Sequence, residues 1–201
     1  MFTGIIETTG TIEKISKNGV TIKTPELIKQ LKIGGSIAVD GTCLTVTGKS
    51  GENFTADVMP VTFKRTVLGD RKKGDQVNLE LPMKAGERFE GHFVSGHVEG
   101  VAKLIKQKID GNSYRLTFKI PSELVKYMIP QGSVALNGIS LTIADIEDDI
   151  IMVSIIPHTW DVTDLHDLSI GDKVNVETDL LAKYAEKLVL SNSKPETRNP
   201  K

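Results

Sequence analysis

One short pattern occurs twice in this chain, and it limits the possible folds more than any other feature. Gly41-Thr42-Cys43-Leu44-Thr45-Val46 returns 97 positions later as Gly138-Ile139-Ser140-Leu141-Thr142-Ile143, with serine in place of cysteine. The same offset relates Gly74-Asp75-Gln76-Val77-Asn78 to Gly171-Asp172-Lys173-Val174-Asn175, and Pro60-Val61-Thr62 to Pro157-His158-Thr159. It also relates Glu26-Leu27-Ile28-Lys29 to Glu123-Leu124-Val125-Lys126. An offset kept over so long a span marks a tandem duplication, so the fold must be two copies of one unit of about ninety residues.

Each copy reads as short strands separated by turns. Runs rich in Val, Ile and Thr cover residues 11–15, 20–23, 36–39, 43–47, 53–58 and 76–81. Lys17-Asn18-Gly19 and Asp110-Gly111-Asn112 predict hairpin turns, and Asp40-Gly41 and Asn137-Gly138 predict a second pair. A short helix is expected over 26–31, capped by Thr24 with Pro25 at its first position, and its counterpart over 121–128. Five or six strands without a βαβ rhythm predict a small closed antiparallel barrel, in which closure removes exposed edges.

A Pro- and Gly-bearing linker over 82–91 separates the copies. After Glu177, Leu180, Leu181, Tyr184 and Leu188 fall at helical spacing, with no counterpart in the first copy. This helix needs a surface to cover its apolar stripe: either its own barrel or another subunit. The chain therefore divides into a first barrel (1–88), a second (89–178), a helix for oligomerisation (179–190) and a polar tail (191–201) expected to be disordered.

With 25 Lys and Arg against 26 Asp and Glu, and no basic block, nucleic acid is not the expected partner. Neither a signal peptide nor a membrane span is predicted. A single cysteine suits a reducing compartment, so a cytoplasmic location is expected. Common catalytic motifs fail. Gly48-Lys49-Ser50 lacks the first glycine of a phosphate loop, and Ser95 sits in Phe-Val-Ser-Gly-His rather than Gly-x-Ser-x-Gly. Four histidines and one cysteine make a poor metal set, so no metal is expected.

The differences between the copies are more informative. Cys43 faces Ser140, and Val61 faces His158. The start Phe2-Thr3-Gly4-Ile5-Ile6-Glu7 faces Val94-Ser95-Gly96-His97-Val98-Glu99, so His97 stands where the first copy has Ile5. Thr45 and Thr142 each share a strand face with the Cys43 or Ser140 two residues earlier, where a polar ligand could be bound. Cys43 also reads as a small buried hydrophobe, and the threonines as ordinary strand formers.

These residues resemble the riboflavin synthase family. The resemblance rests on Met1-Phe-Thr-Gly-Ile-Ile-Glu7, Asp40-Gly-Thr-Cys-Leu-Thr-Val46, Gly91-His-Phe-Val-Ser-Gly-His-Val-Glu-Gly100, Asn137-Gly-Ile-Ser-Leu-Thr142 and Ile156-Pro-His-Thr159. It covers nearly the whole chain. It implies a mainly β fold of two tandem Greek-key six-stranded antiparallel barrels with a C-terminal α-helix. It also implies an enzyme that dismutates two molecules of dimethylribityllumazine by transfer of a four-carbon unit, without cofactor or metal. The products are riboflavin and a ribitylamino-aminouracil. A homotrimer joined through the C-terminal helices follows from the same resemblance, with lumazine synthase as a candidate partner.

The match carries Ser36, Cys43, Leu44, Thr45 and Asp57, Val58, Met59, Pro60, Val61 and Thr62 into one substrate pocket. Ser140, Leu141, Thr142, Ile155, Ile156, Pro157, His158, Thr159 and Trp160 line the other. Gly4, Ile5, Ile6 and Gly96, His97, Val98 complete the interface. His97 is the candidate acid/base and Cys43 a candidate nucleophile or proton-transfer aid, with Ser140 and Thr142 as further catalytic candidates. The implied site lies between subunits, and pairing Cys43 of one chain with His97 of another is the expectation it raises. Three positions depart from the family pattern: Gln131 for a ligand-side lysine, Asn137 for a frequent aspartate, and Trp160 for an aliphatic residue. The main rival is the non-catalytic lumazine protein of luminous bacteria, altered at the cysteine, histidine and Ser-Leu-Thr positions that this chain keeps. A flavin-binding barrel of reductase type would need an α/β nicotinamide-binding half, for which there is no segment.

Overall fold

The computed structural model describes residues 1–192. Strands β1 (Thr8–Ser16), β2 (Gly19–Lys23), β3 (Ser36–Val39), β4 (Thr42–Ser50), β5 (Asn53–Asp57) and β6 (Gln76–Glu80) close into an antiparallel barrel in the order β1-β2-β5-β4-β3-β6. The second barrel has β7 (Gly100–Asp110), β8 (Ser113–Lys119), β9 (Ser133–Leu136), β10 (Ile139–Glu147), β11 (Ile150–Ile155) and β12 (Lys173–Thr178). Its circuit, β7-β8-β11-β10-β9-β12, repeats the first strand for strand. The pairing register slips at Ile12/Lys14 and Val46/Gly48, and again at Leu104/Lys106 and Ile143/Asp145. Such bulges bend a strand and let a short sheet close.

Alternation decides which side chains fill each barrel. On β4, Leu44 and Val46 point inward and are buried, while Cys43 is half-buried and Thr45 exposed on the outer face. On β10, Leu141 and Ile143 are buried, Ser140 half-buried and Thr142 exposed. Ile12, Ile22, Phe54 and Leu79 fill the first interior, and Leu104, Phe118, Leu136 and Ile151 the second.

The helices depart from expectation. Residues 25–30 form successive turns, not a helix. Ile28 N–H donates to the Thr24 carbonyl and Leu31 N–H to that of Leu27, but the Thr24 hydroxyl has no partner among the described residues. One turn without a side-chain cap is too short to propagate, and it persists because Leu27, Ile28 and Leu31 pack into the first core. Its counterpart shrinks to α2 (Ser122–Val125). Two helices of similar length lie elsewhere: α1 (Pro60–Arg65), which precedes α2, and α3 (Pro157–Val162), both with proline in the first turn. The last helix, α4 (Leu180–Asn192), runs past the predicted end at 190 and takes in Ser191 and Asn192. The rest of the tail lies outside the described residues.

The barrels meet along a polar seam with approximate two-fold character. Asp40 and Gly41 (φ 46° and 74°) form one turn, Asn137 and Gly138 (φ 45° and 79°) the other. A Cβ on Gly41 would lie 2.7 Å from the Gly138 nitrogen, and one on Gly138 would lie 2.6 Å from that of Gly41, so only glycine allows this approach. Asn78 donates from Nδ2 to the Asn137 carbonyl (3.0 Å), and Asn175 from Nδ2 to the Asp40 carbonyl (2.7 Å). The symmetry breaks at one place. Arg71 reaches both Asp40 (2.7 Å) and Asp164 (2.8 Å), a guanidinium between two buried carboxylates. Burial pushes the Asp40 carboxyl up to about 7; Arg71 works against this shift and Asp164 with it.

Candidate active site

The first residues of each copy leave their own barrel and cross to the other. Phe2 and Val94 exchange backbone hydrogen bonds of 2.8 and 3.2 Å, which fixes the two crossing straps side by side. The Gly96 carbonyl then accepts from the Cys43 amide (2.8 Å), and the Gly4 carbonyl accepts from that of Ser140 (2.7 Å). A Cβ on Gly96 would come within 2.5 Å of the Cys43 Cβ, and one on Gly4 within 2.7 Å of the Ser140 Cβ. Each glycine thus lets a strap lie directly on the strand of the opposite barrel.

Two half-sites result. The first has Cys43 on β4 under the strap Gly96-His97-Val98. Ser36 on β3 is registered against Thr45 beside it. His97 is exposed, immediately after the glycine bonded to Cys43. The strap that passes over Cys43 belongs to the same chain, so the backbone next to His97 lies on the first barrel without a second subunit. The second half-site has Ser140 on β10 under Gly4-Ile5-Ile6, with exposed Thr142 on the same face.

Sequence reasoning passed over one short side-chain pair at the second half-site. His92 is buried, and its Nδ1 lies 2.7 Å from the Ser140 Oγ. Its amide donates to the Thr3 carbonyl (3.1 Å), which ties it to the crossing strap. Burial lowers its pKa, so the ring is neutral near neutral pH, while Nε2 has no partner among the described residues. The signal was present in Gly91-His92 at the head of the strap. The comparison of the two straps, which starts at Phe2 and Val94, did not reach it.

The remaining predicted residues divide by exposure. Thr45, Asp57, Met59, Pro60 and Val61 are exposed in the first half and Thr62 is half-buried; Ile156, Pro157 and His158 are exposed in the second, with Thr159 half-buried. Leu44, Val58, Leu141 and Ile155 are buried in the barrel cores. Their side chains pack the scaffold. Trp160 stacks on Tyr114, with ring centroids 4.0 Å apart and planes at 8°. Gln131 is exposed with φ 64°, a left-handed conformation that Gly34 takes in the first copy.

A cleft of about 670 Å³ lies along the seam beside Arg71, Asp164 and Asp172, and none of the predicted site residues lines it. Ile5 lines a smaller cleft of about 210 Å³ with Thr3 and Glu80, and Asp57 one of about 240 Å³. No cluster of His, Cys, Asp and Glu suited to a metal ion occurs among the described residues.

The lumazine binding domain model matches this chain twice, over residues 3–82 and 95–179. The riboflavin synthase of Bacillus subtilis strain 168 is 46% identical over 188 residues, covering 92% of this chain and 87% of that protein. The chain belongs to the riboflavin synthase family. The enzyme activity of that family, a transferase reaction, goes with this membership. Among solved structures, LumP complexed with riboflavin superposes with a TM-score of 0.83 at 29% identity, covering 89% of this chain and 99% of that one. LumP complexed with 6,7-dimethyl-8-(1'-D-ribityl) lumazine gives a TM-score of 0.80 at 29% identity over the same shares of the two chains. The family match therefore falls on both barrels and on both straps.

Proposed function

We propose that this chain binds one dimethylribityllumazine at each kind of half-site and moves a four-carbon unit from one molecule to the other. Riboflavin and a ribitylamino-aminouracil together account for every atom of the two substrates, so no oxidant or cofactor is required. The observation that carries this reading is the crossing of the straps: it builds two like but unequal half-sites, as two like molecules with unequal roles require.

The side chains suggest a division of labour. The donor must lose a methyl proton. The neutral His92, with the Ser140 hydroxyl between it and the outer face, is suited to receive one through that hydroxyl. Cys43 and His97 serve the other molecule, His97 as acid or base and Cys43 as nucleophile or proton carrier. Ser36, Thr45 and Thr142 offer hydroxyls for polar contacts along the same faces. Holding two rings in register supplies a further part of the rate.

A productive site needs a first and a second half-site facing each other, and we assign this to a homotrimer in which they come from different copies. On α4, Leu181, Tyr184 and Leu188 are 58%, 58% and 63% exposed, while Glu186 holds the helix to its own barrel through Lys126 and Tyr127. The helix is thus anchored by its polar side and leaves an apolar stripe outward for the other subunits. The substrate would come from a lumazine synthase, and a single cysteine fits a cytoplasmic location. No described helix is long and apolar enough to cross a membrane.

The test is to incubate chelator-treated protein with dimethylribityllumazine. Riboflavin should form at the untreated rate. Tight binding without turnover would move the chain to the role of a ligand carrier.

A further inference from the structure

Each crossing strap is held by one carboxylate, and that carboxylate belongs to the barrel the strap has left. Glu177, at the end of β12 in the second barrel, accepts from the Ser95 amide and hydroxyl through Oε1 (both 2.6 Å) and from the Gly96 amide through Oε2 (3.0 Å). Gly96 in turn accepts from Cys43 in the first barrel. Glu80, at the end of β6 in the first barrel, does the same in mirror fashion. It accepts from the Thr3 amide and hydroxyl (2.6 and 2.8 Å) and from the Gly4 amide (3.0 Å), and Gly4 accepts from Ser140. Both carboxylates are buried at 3–4% exposure.

We infer that Glu177 is a positioning residue for the first half-site and Glu80 for the second, so that each half-site is tuned from the opposite barrel. This rests on the assignment of the half-sites above. A carboxylate suits the task because three donors converge on two acceptor oxygens. Glutamine cannot replace it, since its amide nitrogen would face an N–H donor. The strap would lift, the Gly96 carbonyl would leave the Cys43 amide, and His97 would lose its place. Displacement of an aligned group by about 1 Å can reduce a rate about 100-fold.

The only cysteine of the chain lies in the first half-site, so its reactivity reports on one strap alone. The experiment compares Glu177→Gln, Glu80→Gln and wild type as full chains. Alkylation of Cys43 by iodoacetamide is followed at about pH 9.5, above the ordinary thiol pKa, so that access rather than ionisation sets the rate. Glu177→Gln should raise the alkylation rate about tenfold, the ratio that corresponds to one lost hydrogen bond to a charged group. Glu80→Gln should leave it at the wild-type rate, although both variants lower kcat by more than they raise KM. Ser95→Ala, which removes only the hydroxyl contact, should raise alkylation in the same direction by less, and it serves if Glu177→Gln does not fold. Equal alkylation in the two glutamine variants, or an unchanged rate in Glu177→Gln, would overturn the inference. Wild-type protein without turnover would remove the proposed reaction, while the alkylation ratio would still decide the crossed clamp.

Discussion

The two barrels share a circuit, a set of bulges and a strap, yet they carry different chemistry where the straps land. In the first, Cys43 lies beneath the strap that bears His97, and among the described residues no histidine is hydrogen-bonded to it. In the second, Ser140 is hydrogen-bonded to a buried histidine, and the strap above it carries Ile5 at the position of His97. The seam shows a similar asymmetry. Asn78 and Asn175 correspond, whereas Asp40 faces Asn137, Val67 faces Asp164 and Arg71 faces Leu168. Differences between the copies thus fall both where the straps land and along the axis between the barrels.

The largest expected effect comes from breaking the second half-site. Ser140→Ala and His92→Ala should each lower kcat by about 100- to 10,000-fold, as expected for a proton-transfer group. The double variant should be little worse than either single one, because the two act as a unit. Cys43→Ser, which makes the first half-site resemble the second, should cost clearly less, since no partner histidine waits for it. Steady-state rates of riboflavin formation check all four.

The seam comes next. Arg71→Met leaves Asp40 and Asp164 buried without their cation, and breaking such an arrangement costs about 3–5 kcal/mol. Denaturant unfolding should show that loss. Burial works to lower the Arg71 pKa, but the two carboxylates outweigh it and push it up, so Arg71 remains charged at any working pH.

A smaller effect depends on pH. Folded Asp40 keeps its proton up to about 7, whereas unfolded Asp40 releases it near the ordinary value of about 4. Folding therefore takes up a proton between these values, so this contribution is complete below about pH 4, falls as pH rises and is gone above about 7. Burial raises Asp164 and Glu80 in the same sense. His92 acts oppositely, since its lowered pKa removes stability as pH falls below the ordinary histidine value. Asp40→Asn, copying Asn137, should flatten the decline between about pH 4 and 7, as measured by the unfolding free energy at each pH.

The smallest effect concerns Gln131. A non-glycine residue with φ 64° carries about 1 kcal/mol of strain that Gly34 in the first copy avoids. Gln131→Gly should raise the melting temperature slightly. If it also changes KM, Gln131 meets the ligand.

How much of this was legible in the sequence depends on range. The repeat and the spacing of Val, Ile and Gly were enough for two barrels, and strands such as Ser36–Val39 fall where the pattern put them. The Asp40-Gly41 and Asn137-Gly138 turns were legible as turns, but not their back-to-back contact. Helix α1 was missed although Pro60 stood at its start, because Thr24-Pro25 gave a stronger local signal and tertiary packing did not extend it. Cys43, Ser140 and Thr142 could be found from the repeat. The partnership of Ser140 with His92 could not, since it joins residues 48 positions apart through a strap whose course no local pattern specifies. Leu44, Val58, Leu141 and Ile155 were assigned to pockets with their motif neighbours, and the motif alone does not tell a side chain from a backbone contribution. Their side chains pack in the cores, Leu44, Leu141 and Ile155 by strand alternation and Val58 just past the end of β5.

The central claim is that Cys43 and His97 belong to one half-site of one chain, and that a productive site needs the second half-site of another. Mixed refolding tests this directly. His97→Ala and Ser140→Ala chains, unfolded, combined and refolded together, should give activity above either parent, because some contacts then join an intact first half-site to an intact second one. Cys43→Ala mixed with His97→Ala should show no gain, since both chains lack the same half-site. Activity recovered in the Cys43→Ala and His97→Ala mixture, with mixed oligomers confirmed by mass spectrometry, would contradict the account.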